Sequence, residues 1–305
     1  MLILMLLVIP VYGRAAEQAV SRFDRVAFDG IELEYQVRGA GAPIVFVHAG
    51  VFADWFEPLL DEAALKDRYR MVTYHRVGYA GSSDVIGPVS IAQQAVHLRS
   101  LLRKLEIRRA HLVGHSSGGI IALQLALDAP EIVHSLSLLE PALPVSPASA
   151  QRRPETKSGV ALAMESYRAG NDVAAVDVFM QAVAGPGYRA VVQERLPQAF
   201  GQAIADADTF FRQELPAVQQ WSFHEEDARR IRQPVLAVMG ARSHEVSPIW
   251  QQRQDLMNAW LPNVEAFVLS DATHLLHVQN SRDLAERLAT FFEQHSLTQH
   301  DAADE

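Results

Sequence analysis

A serine flanked by glycines lies in the first half of the chain, in the segment Gly114-His115-Ser116-Ser117-Gly118. The segment fits the G-x-S-x-G pattern, in which a strand turns abruptly into a helix and the serine occupies the apex. The turn strains the serine backbone, and the glycines leave room for strand and helix to approach closely. The serine hydroxyl then stands above the sheet, beside a helix N-terminus that favours negative charge. This arrangement predicts nucleophilic attack by Ser116.

A serine nucleophile needs a base to take its proton, since a hydroxyl is a poor nucleophile at neutral pH. His274 is the candidate base, because it follows the last predicted strand, residues 265–269. It would therefore lie at the same edge of the sheet as Ser116. His277 is the second candidate, and it falls within the start of a predicted helix.

The elements that must position these residues alternate along the chain between strand-like and helix-like runs. Such alternation predicts an α/β fold with a mostly parallel central sheet flanked by helices. A hairpin is predicted for residues 22–28 and 31–37, with Asp29-Gly30 as its turn. Further strands are predicted at 44–47, 71–74, 111–113, 136–139, 235–239 and 265–269, and helices at 91–105, 117–127, 248–260 and 282–294.

The alternation stops between residues 142 and 232, where helical runs such as 160–168 and 173–183 replace the strand-like ones. We therefore predict a core formed by residues 21–141 and 233–297, with a helical cap inserted at 142–232. Residues 298–305 are predicted to be a disordered tail. Residues 1–20 predict either a signal peptide or a disordered leader, because an apolar run and small residues are present without a preceding basic residue. Both cytoplasmic and exported locations stay open.

Four landmarks follow one another in the order found in the α/β-hydrolase fold family, which the chain resembles from about residue 23 to residue 295. The segment His48-Ala49-Gly50 follows the third strand, where the family usually has His-Gly. Residues 76–83 resemble its Arg-x-Gly-x-Gly-x-Ser loop. The serine segment comes next, and residues 270–274 resemble its catalytic histidine loop. The resemblance implies a serine hydrolase with a helical lid.

The acid of the implied catalytic triad departs from the common family pattern. Family members usually carry it as Gly-x-x-Asp after the strand before the last, but here that segment reads Gly240-Ala241-Arg242-Ser243. A serine cannot stabilise an imidazolium as a carboxylate does. Some members place the acid one strand earlier, at the position of Glu140. The resemblance thus implies the triad Ser116, Glu140 and His274, with Glu245 as the alternative acid.

The resemblance also implies an oxyanion hole and a substrate pocket. The hole would consist of the backbone N–H groups of Ser117 and of Gly50. Aromatic residues of the cap and of the loop after the third strand are expected to line an apolar pocket, although each alone is equally explained by packing. The substrate-binding candidates are Val51, Phe52, Trp55, His115 and Trp221, and the other cap aromatics are Phe179, Phe200, Phe210 and Phe211.

Composition limits the partners. The formal net charge of −9 argues against nucleic acid, whose phosphates require a clustered positive surface. The absence of cysteine excludes disulfides and thiolate chemistry. No metal-binding spacing or phosphate loop is present, so no metal and no cofactor are predicted. The first apolar run is too short to span a membrane.

The expected substrate is a small or medium apolar carboxylic ester or lactone, cleaved through an acyl-enzyme. Two other functions stay open at this point. One is a carbon–carbon bond hydrolase or lyase that uses the same triad. The other is a non-catalytic small-molecule receptor of the same fold, against which the intact set of serine, histidine and acid argues.

Overall fold

The structure is a computed structural model that describes residues 23–84, 87–145 and 157–297. The leader predicted at 1–20 and the tail predicted at 298–305 lie outside the described residues. At the centre is a sheet of eight strands in the order β1-β2-β4-β3-β5-β6-β7-β8. The strands are β1 (Asp24–Phe28), β2 (Ile31–Arg38), β3 (Ala42–Val47), β4 (Tyr69–Tyr74), β5 (Ala110–His115), β6 (Val133–Leu139), β7 (Val235–Gly240) and β8 (Val264–Leu269).

The sheet combines an antiparallel edge with a parallel body. The pairs β1–β2 and β2–β4 are antiparallel, and the pairs from β3–β4 to β7–β8 are parallel. The hairpin turns at Asp29-Gly30, whose φ angles are +49° and +82°. A two-residue hairpin turn of type I′ requires positive φ at both positions. The mostly parallel sheet and the hairpin confirm the predicted fold class.

The inner parallel strands β3, β5, β6 and β7 are buried on both faces, as their mostly apolar sequences predict, while much of the edge strand β8 is exposed. Side chains alternate along β3, so that Ile44 and Phe46 join one hydrophobic cluster while Val45 and Val47 join the other. Helices cover each cluster and exclude water from it. The helices outside the cap are α1 (Glu57–Leu60), α2 (Ala63–Lys66), α3 (Ile91–Lys104), α4 (Ser117–Asp128), α11 (Ser243–Val246), α12 (Ile249–Trp260), α13 (Leu276–Gln279) and α14 (Ser281–Gln294).

Between β6 and β7 the described residues form helices and loops and contain no strand. Two of these helices, Gly159–Arg168 and Asp172–Ala184, coincide with the helical runs predicted from the sequence. Residues Gly185 to Gly187 follow the second of them and precede the next helix. A π-helix at Thr209–Glu214 was not predicted. The cap helices are α5 (Gly159–Arg168), α6 (Asp172–Ala184), α7 (Tyr188–Arg195), α8 (Ala199–Ala205), α9 (Leu215–Gln220) and α10 (Glu225–Arg230). Across all described segments, the helices are too short or too polar to cross a membrane.

A buried ion pair ties the π-helix to the core. Nη2 of Arg76, in the loop after β4, donates to both carboxylate oxygens of Glu214 at 2.9 Å. The Tyr79 hydroxyl donates to the same carboxylate. All three residues are at most 2% exposed. Removing one partner of such a pair leaves the other charge buried and uncompensated, which costs about 3–5 kcal/mol.

We therefore expect Glu214→Ala to lower the free energy of unfolding by about 3–5 kcal/mol, measured by urea denaturation. The matched control is Glu225→Ala, which breaks the exposed pair between Glu225 and Arg229 on α10. That change is expected to cost less than about 1 kcal/mol. Equal and small effects of the two substitutions would show that the buried pair does not hold the cap to the core.

Candidate active site

Ser116 occupies a sharp turn between β5 and α4. Its φ and ψ are +50° and −116°, a conformation that costs a residue other than glycine about 1–3 kcal/mol. A Cβ atom at Gly114 would lie 2.7 Å from the carbonyl oxygen of Gly118, and one at Gly118 would lie 2.0 Å from that of Val47. Both positions therefore require glycine, which explains the spacing of the motif. The turn leaves Ser116 partly exposed, on the wall of a cavity.

His274 and Glu140 form a buried hydrogen-bonded pair beside the same cavity. Nδ1 of His274 lies 2.7 Å from Oε2 of Glu140. The other oxygen, Oε1, accepts a hydrogen bond of 2.9 Å from the backbone N–H of Gly240. Because an ionised carboxylate only accepts hydrogen bonds, Nδ1 carries the proton and Nε2 is left as an acceptor. His274 and Ser116 both line the cavity.

Burial opposes charge on both members of this pair. It raises the pKa of Glu140 to about 7, against the opposing effects of the nearby Ser243 hydroxyl, the Gly240 N–H and the charge of Arg253. Burial, assisted by the positive charge of Arg253, lowers the pKa of His274 well below its ordinary value. The histidine is therefore neutral near pH 7, which is the state that a proton acceptor needs.

The alternative residues considered for the triad lie elsewhere. Glu245 is exposed on α11 and pairs with Arg242. His277 is fully buried, its ring stacks on Phe56 at 4.6 Å, and neither ring nitrogen has a hydrogen-bond partner among the described residues. Ser116 and His274 thus line one cavity, and neither Glu245 nor His277 lines it.

Two neighbours fix the orientation of His274. The Trp250 ring stacks on the imidazole with centroids 3.9 Å apart and an angle of 17° between the planes. His115 is buried beneath the site, and its Nε2–H donates to the carbonyl oxygen of His274 at 3.0 Å. His115 therefore supports the histidine loop. It does not line the cavity, contrary to its prediction as a substrate-binding residue.

The two predicted oxyanion donors are neighbours. Ser117 is the first residue of α4, where backbone N–H groups have no partner within the helix. The backbone N–H of Gly50 donates to the Ser117 hydroxyl at 2.9 Å. An oxyanion that binds both N–H groups must therefore displace this hydroxyl from Gly50. Sequence patterns carry no information about this contact, since it depends on the side-chain rotamer of Ser117.

His48 sets the conformation of the loop that carries Gly50. Its Nδ1–H donates to the carbonyl oxygen of Ala49 at 2.7 Å. Its Nε2 accepts from the backbone N–H of Arg76 at 3.0 Å, which fixes the tautomer. On the other side, the Trp55 indole N–H donates to the carbonyl oxygen of Gly50 at 2.9 Å. The loop is held rigidly over the start of α4.

A cavity of about 300 Å³ opens above Ser116 between core and cap. Its wall is mostly apolar and includes Trp55 from the core and the cap residues Phe179 and Phe210. Its volume lies at the lower end of the range for small-molecule sites. Across the described ranges, no three His, Asp or Glu side chains are grouped as a metal site would need.

The remaining predicted pocket residues do not line this cavity. Val51 and Phe52 are at most 1% exposed, and the Phe52 ring packs edge-on against Trp55 with centroids 4.9 Å apart. Trp221 donates from its indole N–H to Oε1 of Gln124 at 2.7 Å and stacks on Phe223. These aromatics pack cap and loop against the core, and only Trp55 of the five candidates lines the cavity.

Three cavity residues on α12, Ile249, Trp250 and Arg253, were missed by the sequence reasoning. Trp250 and Arg253 are three positions apart, so they lie on one face of the helix. The sequence predicted this helix but gave no reason to assign its face to the site. The available signal was that this helix follows β7, with only the short helix α11 between them, and that the carboxyl end of β7 lies beside Glu140.

Comparison with known proteins agrees with the fold. The family model described as alpha/beta hydrolase fold matches residues 42–281, which is more than half of the chain. The chain therefore belongs to the α/β-hydrolase fold family. An enol-lactonase from Burkholderia xenovorans LB400 has the same fold, with a TM-score of 0.74 at 19% identity over 88% of this chain and 100% of that chain.

Curated relatives match mostly over short stretches. The chain is 34% identical over 133 residues to the dihydrolipoyllysine-residue acetyltransferase component of the acetoin cleaving system of Cupriavidus necator, covering 43% of this chain and 35% of that protein. It spans less than half the length of the first curated relatives that it matches. A longer match, 28% identical over 83% of this chain and 94% of the relative, is to a protein of Pseudomonas syringae named carbamate hydrolase RutD.

Proposed function

We propose that this protein hydrolyses a small carboxylic ester or lactone through an acyl-enzyme intermediate on Ser116. The observation that carries the proposal is the buried contact of 2.7 Å between Nδ1 of His274 and Oε2 of Glu140, beside the cavity that Ser116 lines. A core histidine needs no such carboxylate, whereas a general base does, because the carboxylate stabilises the imidazolium that forms during reaction.

In the first half of the reaction, Oγ of Ser116 attacks the substrate carbonyl carbon while Nε2 of His274 accepts the hydroxyl proton. Negative charge develops on the carbonyl oxygen, which binds the backbone N–H groups of Gly50 and Ser117. The imidazolium is stabilised by Glu140. The carbon–oxygen bond to the leaving group then breaks, and His274 returns the proton to the leaving oxygen.

In the second half, water enters and His274 takes a proton from it as the oxygen attacks the acyl carbon. Collapse of the second tetrahedral intermediate breaks the bond to Ser116, His274 returns the proton to Oγ of Ser116, and the carboxylic acid is released. The apolar wall excludes water from the charged groups while substrate is bound, which strengthens each electrostatic contact. The cavity volume of about 300 Å³ favours a small acyl group over a polymer.

The proposal is tested by incubating the protein with short-chain p-nitrophenyl esters, a γ-lactone and a p-nitrophenyl carbamate. We expect turnover of the esters or the lactone, together with covalent labelling of Ser116 by a fluorophosphonate, located by peptide mass spectrometry. Labelling with turnover of the carbamate alone would favour a carbamate hydrolase, and labelling without turnover of any of these substrates would favour a carbon–carbon bond hydrolase. If Ser116 is not labelled and no substrate is turned over, the serine hydrolase proposal is refuted and a receptor is favoured.

The pH dependence follows from the pKa directions of the pair. The active form has Glu140 ionised and His274 neutral, so adding a proton to the pair inactivates it. Because burial raises the pKa of Glu140 to about 7, kcat/KM is expected to fall as the pH drops through about 7, with a limiting slope of tenfold per unit. The apparent pKa belongs to the coupled pair.

The variant Glu140→Gln tests this assignment, since it leaves only His274 to titrate. Burial and Arg253 lower the pKa of His274, so the acid limb of the residual activity is expected to move to lower pH. The measurement is kcat/KM from pH 5 to 9 for both proteins. An acid limb at the same pH in the variant would mean that the limb does not arise from Glu140.

A further inference from the structure

Among the described residues that line the cavity, Arg253 is the one with a permanent charge. Its Nε–H donates to the carbonyl oxygen of Leu143 at 2.9 Å, and its guanidinium carbon lies 5.0 Å from the centre of the Trp250 ring. Within the described residues it forms no ion pair with a carboxylate; Glu140 acts on it only through the longer-range electric field. Nitrogen-bound hydrogens of the guanidinium are thus available beside an otherwise mostly apolar space.

A second unused donor lies beside it. Trp250 is 3% exposed and lines the cavity, and its indole N–H has no hydrogen-bond partner among the described residues. Buried indole N–H groups normally have one, because leaving a donor unpaired costs about 1–3 kcal/mol. A planar acceptor with two oxygens would pair with the guanidinium, and the indole nitrogen, which is itself buried, would reach the same acceptor only after a neighbouring side chain moves.

The positive charge of Arg253 also favours an anionic ligand in the cavity. Burial lowers the pKa of Arg253 to about 10, so the group stays charged at neutral pH but lacks a full counter-charge. Glu140 already binds His274 and the Gly240 N–H through its two oxygens. An anion that enters the cavity is therefore the partner that this arginine lacks.

We propose that Arg253 and the indole N–H of Trp250 form a carboxylate-binding subsite, and that the natural substrate is an ester or lactone bearing a free carboxylate. The inference rests on the proposed function, because it names the substrate class of that same site. The carboxylate fixes one end of the substrate, while the oxyanion hole binds the carbonyl group to be attacked. Such anchoring raises kcat/KM for the anionic substrate over a neutral one of equal length.

The test compares p-nitrophenyl esters of equal acyl length, the monoester of adipic acid and the hexanoate, which differ by carboxylate against methyl. A second pair, 4-acetoxybenzoate and phenyl acetate, places the carboxylate on the leaving group. In at least one pair, wild type is expected to prefer the anionic ester by about tenfold to a hundredfold in kcat/KM. In Arg253→Met this ratio is expected to fall to about one, and in Trp250→Phe, which keeps the stacking ring, it should fall by a smaller factor.

The matched control is Arg282→Met, because Arg282 is 81% exposed on α14. It should keep the ratio of wild type. If Arg253→Met fails to fold, competitive inhibition of wild type decides instead. Hexanoate is expected to inhibit with a constant at least about tenfold below that of hexanamide, which has the same chain length but no charge.

A ratio near one in both pairs for wild type would overturn the subsite. So would a wild-type preference that survives in Arg253→Met. Neither result touches the proposed function, which is measured separately by turnover of the neutral esters and labelling of Ser116. If neither turnover of the neutral esters nor labelling of Ser116 were observed, the proposed function itself would be refuted.

Discussion

Replacing Ser116 by alanine is expected to lower kcat/KM for the best ester by about 10⁵-fold or more. The change removes the only atom that bonds covalently to the acyl group, and loss of a nucleophile in a triad of this kind costs about 10⁶-fold. The measurement is initial hydrolysis rate at substrate concentrations below KM. The variant should keep its fold, because alanine at this strained turn has the same Cβ as serine.

Ser117→Ala is the matched control, since it removes a hydroxyl one residue away and keeps the backbone N–H. The Ser117 hydroxyl accepts from the N–H of Gly50, so we expect a change of about tenfold or less, in either direction. If Ser117→Ala were as inactive as Ser116→Ala, the assignment of Ser116 as sole nucleophile would be wrong. Mass spectrometry of the fluorophosphonate adduct would then identify the labelled serine.

The second large effect is expected for Glu140→Ala, which should lower kcat by about 10³- to 10⁴-fold. The substitution leaves Nδ1 of His274 without its acceptor and the forming imidazolium without its counter-charge. The matched control is Glu245→Ala, whose carboxylate is exposed and paired with Arg242. It is expected to stay within about threefold of wild type, because screened surface charges contribute little.

The double variant Glu140→Ala with Ser243→Asp asks whether the acid can be moved to the position common in the family. Ser243 is fully buried and acts on the pKa of Glu140. Partial recovery of kcat over Glu140→Ala would show that the site requires a carboxylate near Nδ1 and not glutamate at position 140. If Glu245→Ala proved the more damaging single change, Glu140 could not be the catalytic acid.

Much of this architecture could be predicted because strong local patterns encode it. The parallel strands are continuous apolar runs, the hairpin carries Asp29-Gly30, and the turn at Ser116 is required by glycines that the sequence shows directly. Strand ends at one edge of a parallel sheet then bring distant residues together. The proximity of Glu140 and His274, 134 positions apart, follows from that topology.

The cavity wall could not be predicted in the same way. Whether an aromatic residue of the cap faces substrate or core depends on how each helix is rotated, and aromatic residues suit both environments. Phe210 faces the cavity and Trp221 faces α4, yet both are aromatic residues of the same insertion. Arg253 was missed for a related reason, since an arginine on an amphipathic helix is usually a solvent-facing residue.

The buried ion pair of the cap also has a consequence for how substrate enters. Glu214 binds the side chain of Arg76, the backbone of Arg76 binds His48, and His48 binds the carbonyl oxygen beside Gly50. A continuous chain of hydrogen bonds thus connects the cap to the loop that carries Gly50. Lifting the π-helix to admit a bulky molecule would pull on the same links that aim the Gly50 N–H. We therefore expect the Gly50 N–H to keep its orientation only while the π-helix stays packed on the core.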